Sequence, residues 1–323
     1  MNRGSRTARL VRWIGAGVLV LSLVYFVRFA LRNAQALPPL RWDALTAVGL
    51  GASLALYLTV ILLSGVGWLI LLRAVGEPAR FGDTLPLFAV AQFGKYVPGN
   101  VAHLAGRAVL AVQAGFRQER VLATMALELA WAVLSGVFVA GAALTLSGTR
   151  GPAQDLGAPP VAALAGLSVL ALLMPLGAAY LLRHLPERLR TRVPGLSEVR
   201  IPGVWPLAAC FLLGSLCMLL LGAIPLALDA AVFGGGGSPY LAVAGVFSLA
   251  WVAGFITPGA PAGLGVRDAI LVAGLTSILG SGSALGVTVV MRLVTSVGDA
   301  LAFAIGLLVR RARRSTAERF SSP

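Results

Sequence analysis

The sequence predicts an all-α membrane protein: a polytopic helical bundle of two inverted-topology repeats, with six full crossings and two re-entrant helical hairpins. Three observations carry this. Hydrophobic residues make up 58% and charged residues only 12% of the 323 residues, about half the charge of a typical soluble domain, and the mean hydropathy is +0.88. Six apolar runs, near 13–31, 44–72, 121–148, 160–182, 204–230 and 284–309, are each long enough to cross about 30 Å of hydrocarbon at 1.5 Å per residue. Two further apolar regions, 84–115 and 239–280, are broken at Pro98-Gly99 and at Pro258-Gly259 and Pro261.

The first run follows Arg3, Arg6, Arg9 and Arg12 and precedes Ala34-Gln35-Ala36, the layout of a cleavable signal peptide. Arg28 and Arg32 between run and cleavage site oppose that, and the run is long enough to span, so a retained helix is expected. In the broken regions proline removes a backbone donor and glycine removes the steric bias toward helix, so a helix stops at each. The arm 84–97 is too short to span, and a hairpin entering and leaving on one side fits it.

Six crossings and two hairpins put both termini on one side. Segments 1–12, 73–83, 116–120, 183–200 and 310–323 hold 18 Arg, whereas 32–43, 149–159 and 229–238 hold 3, which makes the first set cytoplasmic. Trp13, Trp42 and Trp205 stand at run ends, where indole favours the interface. The net charge of +14 comes from Arg flanking apolar runs and indicates membrane topology rather than nucleic-acid binding. Cys210 and Cys217, seven apart on one helix, lie about 10 Å from each other, too far for a disulfide, and read as buried thiols.

Displacing the sequence by 160 residues lays 89–115 on 249–275 with seven identities in 27 positions, against about three expected by chance. In both copies Pro-Gly is followed eight residues after the Gly by Arg, as Arg107 and as Arg267. The same shift lays 44–72 on 204–232 and 121–148 on 281–308, and the predicted topology inverts one half, 10–150, against the other, 160–310. Inverted repeats with broken helices meeting at mid-membrane are a plan of secondary transporters; two unrelated proline kinks in a generic bundle are the alternative. Residues 311–323 read as a cytoplasmic tail of a single membrane domain spanning 1–323.

Ionisable residues inside apolar segments are costly and mark function by default. Here they are Lys95, His103, Arg107, Glu128, Arg267, Asp268, Arg292 and Asp299. Helices restarting past each break present free N–H groups that favour an anion. Gly263 and Gly265 allow close backbone approach, and Arg grips phosphate bidentately. The substrate-binding set is therefore Lys95, Pro98, Gly99, His103, Arg107, Gly263, Gly265 and Arg267. Alternatively, Arg107 and Arg267 hold the fold through Glu128, Asp268 or Asp299. Glu128, Asp268, Arg292 and Asp299 form either proton-coupling sites or structural ion pairs, with Arg292 and Asp299 on one helix face. His103 either reads a headgroup or is a hydrogen-bonded structural residue. No phosphate loop, HExxH, nucleophile elbow or zinc spacing occurs, so neither enzyme activity nor a cofactor is expected.

Lys95-Tyr96-Val97-Pro98-Gly99-Asn100 with Gly106-Arg107 and Glu128 resembles the first half of the flippase-like transmembrane family found in lysylphosphatidylglycerol synthases. Pro261-Ala262-Gly263-Leu264-Gly265-Val266-Arg267-Asp268 resembles its second motif, with Ala262 in place of Gly and Asp268 in place of Glu. The resemblance covers roughly 10–310 and implies a bacterial cytoplasmic-membrane flippase or transporter of an anionic phospholipid or lipid-linked intermediate. Bifunctional relatives add a soluble aminoacyl-transferase domain. This chain ends soon after its last run, so lysinylation by it is not expected. The other reading is a non-transporting membrane partner of a glycosyltransferase or lipid-modifying enzyme.

Overall fold

A computed structural model describes residues 43–96, 102–148, 161–184, 199–257 and 265–321. Among them are nine α-helices and no strand: α1 Ala44–Ala74, α2 Phe81–Ala91, α3 Ala102–Gln113, α4 Gln118–Ser147, α5 Val161–Arg183, α6 Val204–Leu228, α7 Tyr240–Ile256, α8 Val266–Leu279 and α9 Ser281–Ser321. A 3-10 helix, Gln92–Tyr96, prolongs α2, and a π-helical turn, Asp229–Phe233, ends α6.

Four helices are long and apolar enough to cross a membrane: α1, α4, α6 with its π turn, and α9 as far as Arg313. Helix α5 adds 23 apolar residues with Pro175 inside. The chain is thus an integral multi-pass membrane protein. The first expected span, 13–31, lies outside the described residues. Helix α1 starts where Asp43 caps it, its Oδ1 accepting from the Thr46 N–H at 2.8 Å, which satisfies one of the orphan donors of the first turn. At the other end the stretch 311–321 continues α9 as helix. The Arg residues there were read for their charge, but Arg and Ala are strong helix formers and no Pro or Gly interrupts them.

The helix starts in the two parts of the sequence are offset by 159 to 164 residues. Helix α1 begins at 44 and α6 at 204, α2 at 81 and α7 at 240, α4 at 118 and α9 at 281. Among the described residues helix runs as far as Tyr96 and again from Ala102, and as far as Ile256 and again from Val266; the expected breaks at Pro98-Gly99 and at Pro258-Gly259 and Pro261 lie outside the described residues. Packing follows the same exchange of partners. Helices α1 and α6 lie against each other, α2 lies against α9, and α7 lies against α4. Each hairpin therefore leans on the long helix of the other half of the sequence, while α3 and α8 lie against α4 and α9 of their own half.

The bundle is closed by a shared core that includes Trp68, Phe88, Ile224, Phe247, Leu271 and Val287. Side-chain hydrogen bonds tie the long helices where no water competes. Trp131 Nε1 donates to the Leu207 carbonyl at 2.6 Å and Ser135 Oγ to the Phe211 carbonyl at 3.0 Å, joining α4 to α6. Trp68 Nε1 donates to Thr124 Oγ1 at 3.1 Å, joining α1 to α4. The first hairpin closes at Gly94, where a Cβ would stand 2.7 Å from the His103 Cα. Only glycine lets the 3-10 helix and α3 approach so closely.

Candidate functional site

Between the two hairpins lies a cavity of about 300 Å³, the lower end of the range for small-molecule sites. Every long helix assigned to a membrane crossing contributes to its wall: Tyr57 and Trp68 from α1, Glu128 and Trp131 from α4, Cys210 and Cys217 from α6, and Arg292, Thr295 and Asp299 from α9. The first hairpin adds Phe88, Gln92, Lys95, His103 and Arg107, and the second adds Phe247, Trp251 and Arg267. Most of the wall is apolar and aromatic, and the ionisable groups converge on it from both halves.

Of the sequence-predicted site residues, Lys95, His103, Arg107, Glu128, Arg267, Arg292 and Asp299 all line this one cavity. Asp268 is buried beside it, bonded to Arg292. Gly265 starts α8. Pro98, Gly99 and Gly263 lie outside the described residues.

Three ion pairs organise the site, and each is built differently. Arg107, 3% exposed, forks onto Glu128 with Nη1–Oε1 at 3.0 Å and Nη2–Oε2 at 2.5 Å. Its guanidinium lies 4.7 Å from the Trp68 ring centroid and 4.9 Å from that of Phe88. A planar, weakly hydrated cation suits that aromatic slot and a bidentate carboxylate together. Arg107 thus pairs with Glu128 and also faces the cavity.

Asp268 has two tasks. Its Oδ2 accepts from the Gly265 N–H at 3.2 Å, and both its oxygens accept from Arg292 Nε at 2.9 Å. Gly265 has φ +87° and ψ −61°, a left-sided conformation that L side chains rarely adopt, so glycine is required to turn the chain into α8. Asp268 complements the positive end of α8. The substitution of Asp for Glu keeps the carboxylate within reach of both partners. Arg267 Nε stands 3.9 Å from the same carboxylate, with its side chain 17% exposed and on the cavity wall.

The third pair joins the halves. Lys95 Nζ lies 3.2 Å from Asp299 Oδ1, and the Tyr57 hydroxyl donates to the same oxygen at 2.9 Å. Lys95 also reaches the Tyr57 hydroxyl at 3.4 Å. Asp299 is 2% exposed, whereas the Lys95 side chain is 27% exposed. Arg292 and Asp299 share the cavity face of α9 as expected, but they reach different hairpins.

His103 lines the same cavity. Its Nδ1 is buried and has no hydrogen-bond partner among the described residues, a state that buried polar atoms seldom keep without a ligand or ordered water. Tyr57, Trp68 and Phe88 were not singled out from sequence. A tyrosine in the middle of an apolar span is the signal that could have found the first, because a buried hydroxyl needs a partner.

Both cysteines are free and buried, as the spacing required. Among the described residues no group of three or more His, Cys, Asp or Glu could hold a metal ion. A comparison with curated proteins found no match. The family model described as lysylphosphatidylglycerol synthase TM region matches residues 12–302, which takes in both hairpins, all the ion pairs and the cavity, so the chain belongs to that family of membrane proteins associated with lipid metabolism.

Proposed function

We propose that this protein moves an anionic phospholipid, or another lipid-linked phosphate, across the bacterial cytoplasmic membrane, with its termini on the cytoplasmic side. The observation that carries the reading is the charge of the cavity. Lys95, Arg107, Arg267 and Arg292 face Glu128, Asp268 and Asp299, four cations against three carboxylates, His103 aside. Among the described residues one positive charge is in excess, and excess charge in a low-dielectric site is costly. The breaks at 97–101 and 258–264 add no ionisable side chain. A phosphodiester supplies the one negative charge that balances the site, and His103 offers it a further polar contact.

A headgroup would enter between the hairpins and meet Arg267 and Lys95, while its acyl chains stay in the bilayer. The two halves, read as inverted repeats, would rock about the α1–α6 contact to expose the cavity to each side in turn. On this reading the chain is a carrier and performs no chemistry on the lipid.

The test is reconstitution in vesicles containing fluorescent phosphatidylglycerol, with outer-leaflet label quenched by a membrane-impermeant reductant. Wild-type protein should deliver label to the outer leaflet, and Arg267→Ala should slow delivery by about tenfold or more, the value of one charge-assisted bond. Equal rates for the two proteins would remove the proposed site. Delivery no faster than in protein-free vesicles would remove the function.

A further inference from the structure

We infer that Asp229 anchors a binding site for one monovalent alkali cation, Na⁺ or K⁺, where α6 ends against α1 and α9. The site lies off the cavity wall, goes beyond the transport reading and does not depend on it.

Among the described residues four carboxylates are buried, Glu77, Asp229, Asp268 and Asp299, none more than 5% exposed. Glu77 pairs with Arg120, Asp268 with Arg292 and Asp299 with Lys95. Asp229 has no such counter-charge among the described residues, and its Oδ1 is buried without a hydrogen-bond partner. An ionised carboxylate buried alone is so costly that proteins pair it or have it hold a metal ion. The one side-chain bond to Asp229 comes from the Ser283 hydroxyl, in the first turn of α9. That helix end supplies about half an elementary charge, which leaves a deficit that one positive charge more than covers and two would overshoot.

The surroundings offer neutral oxygens. Asp229 begins the π-helical turn that ends α6, a feature that gathers at functional sites. The last carbonyls of a helix lack partners within it, and here they follow Asp229 within one turn. Gly235 closes over the carboxylate: its N–H donates to the Asp229 carbonyl at 3.1 Å, and a Cβ on it would overlap Oδ2 and stand 2.8 Å from Oδ1. One carboxylate among neutral oxygens suits a singly charged ion. Ca²⁺ affinity rests on several charged ligands, and among the described residues no group of three His, Cys, Asp or Glu forms. The same turn is clamped from both halves of the sequence. Thr46 of α1 donates its hydroxyl to the Ala231 carbonyl at 3.0 Å, and the Phe233 ring packs on Gly286 of α9 so closely that a Cβ there would overlap it. A cation held at Asp229 therefore tightens the junction of α1, α6 and α9, and the stability of the whole bundle reports its binding.

The test titrates the full-length protein in detergent, exchanged into choline chloride, with NaCl or KCl at constant ionic strength, and reads the thermal midpoint. The midpoint should rise along a saturating curve, as binding to the folded state requires, and the ion with the lower half-saturating concentration is the occupant. Asp229→Asn keeps the shape and drops the charge, and should abolish the rise. Ser283→Ala should raise the half-saturating concentration about three- to tenfold, the value of one hydrogen-bonding oxygen, and serves if Asp229→Asn does not fold. A midpoint equal in choline, Na⁺ and K⁺ overturns the inference and is the result expected of an Asp229 that holds a proton instead. A rise that persists in Asp229→Asn overturns it too, as does a half-saturating concentration that Ser283→Ala leaves unmoved or a response confined to Ca²⁺.

Discussion

The two hairpins solve one mechanical problem with opposite charges. In the first, the short helix α3 supplies the cation, Arg107, and the long helix α4 supplies Glu128. In the second, the short helix α8 supplies the carboxylate, Asp268, and the long helix α9 supplies Arg292. Each hairpin is thus pinned to the long helix that follows it by a buried, multiply bonded ion pair, with polarity reversed. What the two halves share is the position of a lock and not the residues that form it. The reversal has a consequence for the cavity. Arg107 is taken up by its lock and by two aromatic rings, whereas its repeat counterpart Arg267 stands beside a lock formed by its neighbour, with its own contact to Asp268 at 3.9 Å.

The largest expected effect breaks the first lock. Arg107→Ala leaves the Glu128 carboxylate without its bidentate partner beside an apolar slot, a cost of about 3–5 kcal/mol. The variant should unfold far below the wild type in detergent or fail to elute as a single species. If the position of the lock is what matters, the exchange of Arg107→Glu with Glu128→Arg copies the polarity of the second hairpin. It should recover part of the loss, less the contact with Trp68 and Phe88. A double variant no better than the single one would show that the hairpins are not interchangeable in this sense.

Next come the two glycines that shape the hairpins, each in a different way. Gly94→Ala forces a Cβ into the His103 backbone, and overpacking of that kind costs about 1–3 kcal/mol. Gly265→Ala must hold φ at +87°, at a cost of roughly 1–2 kcal/mol. Both should lower the thermal midpoint. Only Gly94→Ala, which pushes α3 and its Arg107 outward, should also raise N-ethylmaleimide labelling of Cys217. Equal labelling in the two variants would mean that the first hairpin closes no more tightly on the cavity than the second.

Sequence and structure agree most closely where local chemistry decides. Helices α1 and α6 start at the residues where the apolar runs start; the Pro-Gly breaks themselves lie outside the described residues. The ionisable residues were legible for a similar reason, since a charge inside an apolar run stands out whatever the fold. Their partners were not legible. Lys95 meets Asp299 across 204 positions of sequence, and no periodicity encodes that. Arg292 and Asp299, seven apart on one helix, looked like candidates for mutual pairing, yet the hairpins on either side of α9 divide them. Asp268 was legible as an ionisable residue near a helix start, but its double bonding to Gly265 and Arg292 depends on the turn that Gly265 makes. Beyond Arg310 charge said nothing of the backbone, which continues as helix to Ser321.

The smallest expected effect concerns Tyr57, which belongs to neither hairpin but contacts both halves. Removing its hydroxyl in Tyr57→Phe deletes the bond to Asp299 Oδ1 and leaves the aromatic ring in place. The net loss is that of a single hydrogen bond, about 0.5–1 kcal/mol, because Lys95 can close on Asp299 in compensation. Thermal stability should therefore fall by less than in any variant above. The locks at Glu128 and Asp268 are made within their own halves and should not sense the change, so combining Tyr57→Phe with Gly265→Ala should give additive shifts of the midpoint. Combining Tyr57→Phe with Lys95→Gln should not, because both act on one carboxylate. Additivity in the second pair and coupling in the first would reverse the assignment of which contacts hold each half together and which hold the halves to each other.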